Sequence, residues 1–175
     1  DRLMGNESYK AGKYREAASC YGRAKMLLDA AKDVSDDEYP QLLEEQVKVH
    51  LNLIKTSLAL YDQLMMSVQR KKTEGGGETT IASTTTTNEK SDKSDDKNQI
   101  TPLLSDEERV EKRNLALKEL EKATVYCNYH PLRMHEASTG QVKYLRAKIY
   151  YAKGDLERAK QCIDESVEQY GFVNE

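Results

Sequence analysis

GNESYKAGKYREAASCYGRA, residues 5–24, and YLRAKIYYAKGDLERAKQCIDES, residues 144–166, are the two stretches that decide the fold. Each reads as a helix, a short turn containing glycine, and a second helix. With Gly5 set on Ala147, Gly12 falls on Gly154 and Tyr14 on Leu156. Ala17 then falls on Ala159, Tyr21 on Ile163 and Ala24 on Ser166. Small residues at such positions let two helices approach closely. Larger ones fill the gap to the next pair, which is what a stacked helical hairpin needs.

Outward from these copies lies a less regular middle. Leu42, Leu43, Val47, Leu51, Ile54, Leu58, Tyr61, Met65 and Val68 recur at helical spacing. No glycine or proline interrupts residues 41–72, so one long helix is expected there. The next stretch, TEGGGETTIASTTTTNEKSDKSDDKNQ, is dominated by Gly, Thr, Ser and mixed charge. It holds too little apolar surface to offset the entropy of ordering, and a disordered loop is expected. Helix resumes after Ser105, with Asp106 and Glu107 favourable in the first turn. Ala116, Leu120 and Ala123 repeat the spacing of Ala17, Tyr21 and Ala24, and Pro131 is expected to end the segment. The expectation is an all-α fold of three hairpins and six helices.

Charged residues make up 33% of the 175 residues and hydrophobic ones 38%, with no apolar run long enough to span a membrane. The net charge of -3 argues against a phosphate-backbone ligand, so no nucleic acid partner is expected. Cys20, Cys127 and Cys162 are an odd, scattered set within helical patterns. They read as buried free thiols in a reducing compartment. The sequence opens at Asp1, already in a helical pattern and without a signal peptide, and reads as an excerpt of a longer chain.

Gly-Asn followed by Ala-Gly-Lys-Tyr-Arg-Glu-Ala resembles the opening of a tetratricopeptide repeat (TPR). HLNLIKTSLAL, residues 50–60, resembles the second repeat of the FKBP-type immunophilin co-chaperones and related chaperone-binding TPR proteins. YLRAKIYYAKGDLERA resembles their third. The resemblance implies three TPR hairpins stacked as a right-handed superhelix, with a long disordered insertion in the second repeat. Repeat one would occupy 1–34. The extended first helix of repeat two would occupy 38–71, the insertion 72–104 and the second helix 105–131. Repeat three would occupy 134–170. The insertion departs from the family pattern.

The family holds the C-terminal Glu-Glu-Val-Asp tail of heat-shock protein 90 or heat-shock protein 70 in a two-carboxylate clamp of Lys, Arg and Asn. The resemblance places the first-repeat lysine on Arg2, the first-repeat asparagine on Asn6 and the second-repeat asparagine on Asn52. The third-repeat lysine and arginine fall on Gln141 and Leu145, which have no charge. Lys143, Arg146 and Lys148 lie nearby on shifted faces, and Lys143 and Lys148 are the candidate substitutes. Two absent donors at roughly 1.5–3 kcal/mol each would remove about 3–6 kcal/mol. A micromolar complex holds only about 8 kcal/mol. Two expectations therefore stand side by side. One is a co-chaperone adaptor using Arg2, Asn6, Asn52, Lys143 and Lys148. The other is a TPR scaffold with a defunct clamp and a different partner in a larger assembly.

No nucleophile with a base partner can be assembled, so binding without catalysis or cofactor is expected in a cytoplasmic protein. Immunophilin-like proteins often have a prolyl isomerase domain ahead of the repeats, and such activity would belong there. Gly75 to Gly77 lack the Gly-Lys-Ser/Thr of a phosphate loop and read as a flexible linker. Cys127, His130 and His135 lack a fourth ligand, so no metal is expected. His50 is expected to pack against neighbours. Asn6-Glu7-Ser8 matches a glycosylation acceptor, whose use the helical, cytosolic reading opposes. Tyr126, Tyr129, Tyr144, Tyr150 and Tyr151 are expected in core and groove rather than under nucleobases. Ser91 and Ser94 precede acidic residues and suit an acid-directed kinase. With no capping helix after Tyr170, an apolar patch at Ile163, Val167 and Phe172 is expected, open to self-association.

Overall fold

The computed structural model describes residues 1–31, 34–69, 104–134 and 136–171. Every regular element among them is an α-helix. In chain order these are α1 Arg2–Lys10, α2 Tyr14–Ala30, α3 Tyr39–Gln69, α4 Asp106–Cys127, α5 His130–Met134, α6 Glu136–Ala152 and α7 Leu156–Tyr170. Gly75 to Gly77, Ser91, Ser94, His135, Phe172 and all of the expected insertion except Leu104 lie outside the described residues.

The two hairpin turns marked by glycine are the same turn twice. Gly12 has φ 72° and Gly154 φ 81°, a region that L side chains rarely adopt. The N–H of Gly12 donates to Tyr9 O and that of Gly154 to Tyr151 O, both at 3.0 Å. The next N–H groups, of Lys13 and Asp155, donate to Ser8 O and Tyr150 O at 2.9 Å. The middle hairpin joins the 31-residue α3 to the 22-residue α4. Ser105 opens α4 with a capping box: its hydroxyl accepts from the Glu108 N–H, and the Glu108 carboxylate accepts from the Ser105 N–H.

Neighbours in sequence are neighbours in space: α1 packs on α2, α2 on α3, α3 on α4, and α6 on α7, while α4, α5 and α6 join the second and third hairpins. Two core clusters result. In the larger, Val47, Leu51, Ile54 and Leu58 of α3 meet Leu120, Ala123 and Cys127 of α4 and Val142, Leu145 and Ile149 of α6. In the smaller, Ala17, Tyr21 and Ala24 of α2 meet Val49 and Leu53 of α3. Helix α3 therefore buries two stripes. His50 is buried between them, its ring stacked on Tyr129 with centroids 3.6 Å apart.

Three details differ from expectation. Six helices were expected, and α5 is a seventh. Pro131 does not end α4, which stops at Cys127; it lies in the first turn of α5, where a missing N–H breaks no helical hydrogen bond. Cys20 and Cys127 are buried, but Cys162 is only half-buried. The exposure expected at Ile163 and Val167 is observed. Tyr21 and Leu120 are buried, whereas Ile163 is 44% exposed and Val167 46%. No described helix is long and apolar enough to cross a membrane.

Candidate functional site

Helix α3 borders both α1 and α6, and the polar residues of interest collect on that side. Asn6 on α1 and Asn52 on α3 meet directly: Asn52 Nδ2 donates to Asn6 Oδ1 at 3.1 Å. The Tyr21 hydroxyl donates to the same oxygen at 2.7 Å. The Tyr21 ring lies against Gly5, where a side chain would leave it no room. A buried tyrosine on α2 thus fixes the orientation of an asparagine on α1. With its oxygen engaged twice, Asn6 retains its N–H donors for a ligand.

A pocket of about 200 Å³ opens beside this pair, lined by Asn6, Tyr9, Lys10, Tyr21, Asn52 and Lys55. Its two lysines were not singled out from the sequence. Lys10 is one turn beyond Asn6 on α1, and Lys55 is one turn beyond Asn52 on α3, so helical spacing from the asparagines would have found both. Lys55 is half-buried, and burial pushes its ammonium pKa down with no carboxylate to offset it. It forms no ion pair with the described residues.

Further along α3 a second depression, of about 460 Å³, lies between α3, α6 and α7. Tyr61, Tyr144, Tyr151 and Ile163 give it an apolar lining, and Asp62 and Lys148 are its charged groups. The Lys148 ammonium stands over the Tyr144 ring, 5.1 Å from its centroid. Burial raises the Asp62 pKa, and the charge of Lys148 opposes that shift. Tyr126 and Tyr129 pack on the larger core cluster, and the Arg158 guanidinium stands over Tyr150.

The other expected clamp residues are placed as follows. Arg2 Nε donates to Glu45 Oε2 at 2.7 Å, with a second bond from its guanidinium to Oε1 at 3.3 Å. Glu45 is held below the usual carboxylate range: burial opposes that shift, and bonds from Lys48 and Arg2 outweigh it. Lys143 is bonded to Glu165 on α7. Arg146 donates to Cys127 O at 2.9 Å, tying α6 to the end of α4. Leu145 is 4% exposed within the larger core cluster, which explains why that position holds no arginine here. Asn6 and Asn52 are therefore brought together, Lys148 lies on the neighbouring depression, and Arg2 and Lys143 are bound to acidic partners.

Burial raises the Cys127 thiol to about 12 despite nearby Arg146, so it is a poor thiolate. No group of three or more His, Cys, Asp or Glu that could hold a metal occurs among the described residues. Comparisons of the chain with protein-family models, curated proteins and solved structures found no match.

Proposed function

We propose that this chain is a TPR-type protein-interaction module whose α1/α3/α6 face takes an acidic peptide by its C-terminal carboxylate. The observation that supports this most is Lys55. A half-buried ammonium without an anion beside it costs stability, and a ligand carboxylate would offset that cost. Asn6 and Asn52 stand in the same pocket with N–H donors, and the adjoining depression suits an apolar residue preceding the terminus. The Glu-Glu-Val-Asp tail of heat-shock protein 90 or heat-shock protein 70 fits that chemistry. The module is then a cytoplasmic co-chaperone adaptor that acts by binding alone. Its exposed Ile163 and Val167 offer a surface for self-association.

The test is calorimetry of the chain with a peptide ending in Glu-Glu-Val-Asp and with its C-terminally amidated form. Binding is expected to weaken about ten-fold or more in Lys55→Met and in Asn52→Ala, each removing one hydrogen bond to a charged group. The amidated peptide is expected to bind far more weakly. Absence of heat with the free-acid peptide, equal binding of the two peptides, or wild-type affinity in both variants defeats the proposal. The rival, a scaffold with a defunct clamp, is favoured by Arg2 bound to Glu45, Lys143 bound to Glu165 and Leu145 in the core. It requires that the chaperone tail not bind while other partners are retained by Lys55→Met.

A further inference from the structure

Helix α3 is far longer than α2, at 31 residues against 17. Helix α2 therefore covers only the first part of its second stripe. Past Leu60 that stripe loses its cover, and Leu64 is only half-buried. A depression of about 530 Å³ results, with Leu53, Ser57, Leu60 and Leu64 of α3 in line and Arg15 of α2 and Leu115 of α4 on its sides. A second, of about 440 Å³, shares Arg15, Leu60 and Leu64 and extends to Lys112 of α4. The groove follows α4 from Lys112 to Tyr126. That run is roughly 21 Å at the α-helical rise, the length of about four helical turns.

The charges around the groove do not balance. Lys13 and Glu16 face each other at 3.6 Å, and Lys122 and Glu119 at 2.7 Å, so both carboxylates are answered. Arg15 and Lys112 have no ion pair with the described residues. Glu108, one turn from Lys112, is bonded in the Ser105 cap and answers the Lys112 charge only at a distance, without an ion pair. The groove is thus locally cationic on a chain of net charge -3. Leu53, Ser57 and Leu60 form the buried floor of the groove, and Leu64 and Leu115 are the leucines that a further helix could touch.

We propose that this groove is a second interaction site, separate from the α1/α3/α6 face, that takes an amphipathic helix of a partner protein with acidic residues flanking its apolar stripe. Leu64 and Leu115 offer the exposed apolar surface for the stripe, over a floor of buried Leu53 and Leu60, and Arg15 and Lys112 face the flanking carboxylates. Two cations without an ion pair are too few for a nucleic acid backbone.

The test uses the full chain and a fluorescein-labelled helical peptide of about fifteen residues, with leucines at helical spacing and glutamates on both flanks. Saturable binding by fluorescence anisotropy is expected. It should weaken about five-fold or more in Arg15→Glu/Lys112→Glu, which changes only rim charges, and should be unchanged in Asn52→Ala. A peptide with lysines replacing the glutamates should bind far more weakly. No saturable binding, equal binding by the charge-reversal variant, or equal binding of the lysine peptide overturns the proposal. So does a dimer in sedimentation that Arg15→Glu/Lys112→Glu dissolves, because the occupant is then a second copy. The Asn52→Ala arm separates this site from the acidic-tail site, so either can fail alone.

Discussion

The same substitution, glycine to alanine, should have opposite signs at two positions on facing helices. Helix propensity favours alanine over glycine by about 0.5–1 kcal/mol in a helix interior. At Gly22 of α2 an added Cβ meets nothing within 4 Å, so Gly22→Ala should realise that gain. At Gly5 of α1 the added Cβ would lie 2.6 Å from Cε1 and 2.7 Å from Cδ1 of Tyr21. That ring cannot swing aside easily. It is 2% exposed, clustered with Ala17, Ala24, Val49 and Leu53, and its hydroxyl is bonded to Asn6. Overpacking of this kind costs about 1–3 kcal/mol. Strain on the Tyr21–Asn6 bond adds a share of the roughly 1 kcal/mol such a bond contributes. The clash outweighs propensity, and Gly5→Ala should lose about 1–2 kcal/mol net. For a domain of this size that lowers Tm by about 3–8 °C. Thermal and urea unfolding followed by circular dichroism measures both variants. Gly5→Ala in a Tyr21→Leu background should cost less than in the wild type, because the clashing ring is gone. A Gly5→Ala protein that melts at or above wild type would refute the claim that Tyr21 is locked against α1.

Three further outcomes are expected. Leu145→Arg, which would supply the arginine of the clamp that the resemblance implies, should instead lose the roughly 2–5 kcal/mol of a buried leucine and add a buried charge, so unfolding midpoints should collapse; Gln141→Lys should leave them near wild type. Tyr21→Phe removes the hydroxyl that fixes Asn6, and should cost about 1 kcal/mol in urea unfolding while weakening acidic-peptide binding in calorimetry. His50 should make stability pH-dependent: burial depresses its folded pKa below the ordinary value near 6.5, opposed by its bond to Gln46 O, with Lys25 lowering and Asp29 raising it. The unfolded chain then binds the proton first, so stability should fall as pH drops below about 6.5 and level off once the folded imidazole is also protonated. Unfolding between pH 5 and 8 should show a smaller slope in His50→Phe.

Where the chain turns sharply, one residue type has no substitute, and sequence alone locates the element. Gly12 and Gly154 hold positive φ, so the two copies could be set in register and the helices around both turns assigned. Ala17, Ala116, Ala123 and Ala159, the small residues of the repeated pattern, are all buried. The second buried stripe of α3 was harder to see, since Val49, Leu53 and Leu60 share it with Thr56 and Ser57. Thr56 reads as polar, yet its hydroxyl donates to Asn52 O at 2.7 Å and the side chain is fully buried. A hydroxyl satisfied by its own helix removes the penalty that would otherwise mark the position as exposed. Pro131 misled for a related reason: it lacks an N–H, which stops a helix in its interior and costs nothing in a first turn.

The site divides along the same line. Asn6 and Asn52 were named from the family resemblance, which matches each within a single repeat, and the structure brings the two side chains together. The loss of Arg2 and Lys143 to acidic partners was not legible in the sequence, because Glu45 and Glu165 lie 43 and 22 residues away. Long-range pairing of this kind also identifies the cations that matter. A basic residue bonded to a neighbour's carboxylate is already satisfied and gains little from a ligand. A half-buried one without an anion has its desolvation cost still open. By that criterion the expected cations Arg2 and Lys143 give way to Lys55, a residue that helical spacing places beside Asn52 but that no charge pattern along the chain singles out. The same criterion, applied on the opposite side of α3, separates Arg15 and Lys112 from Lys13 and Lys122. Unpaired charge beside a cavity, rather than charge alone, is the feature on which both proposed acidic-partner sites rest.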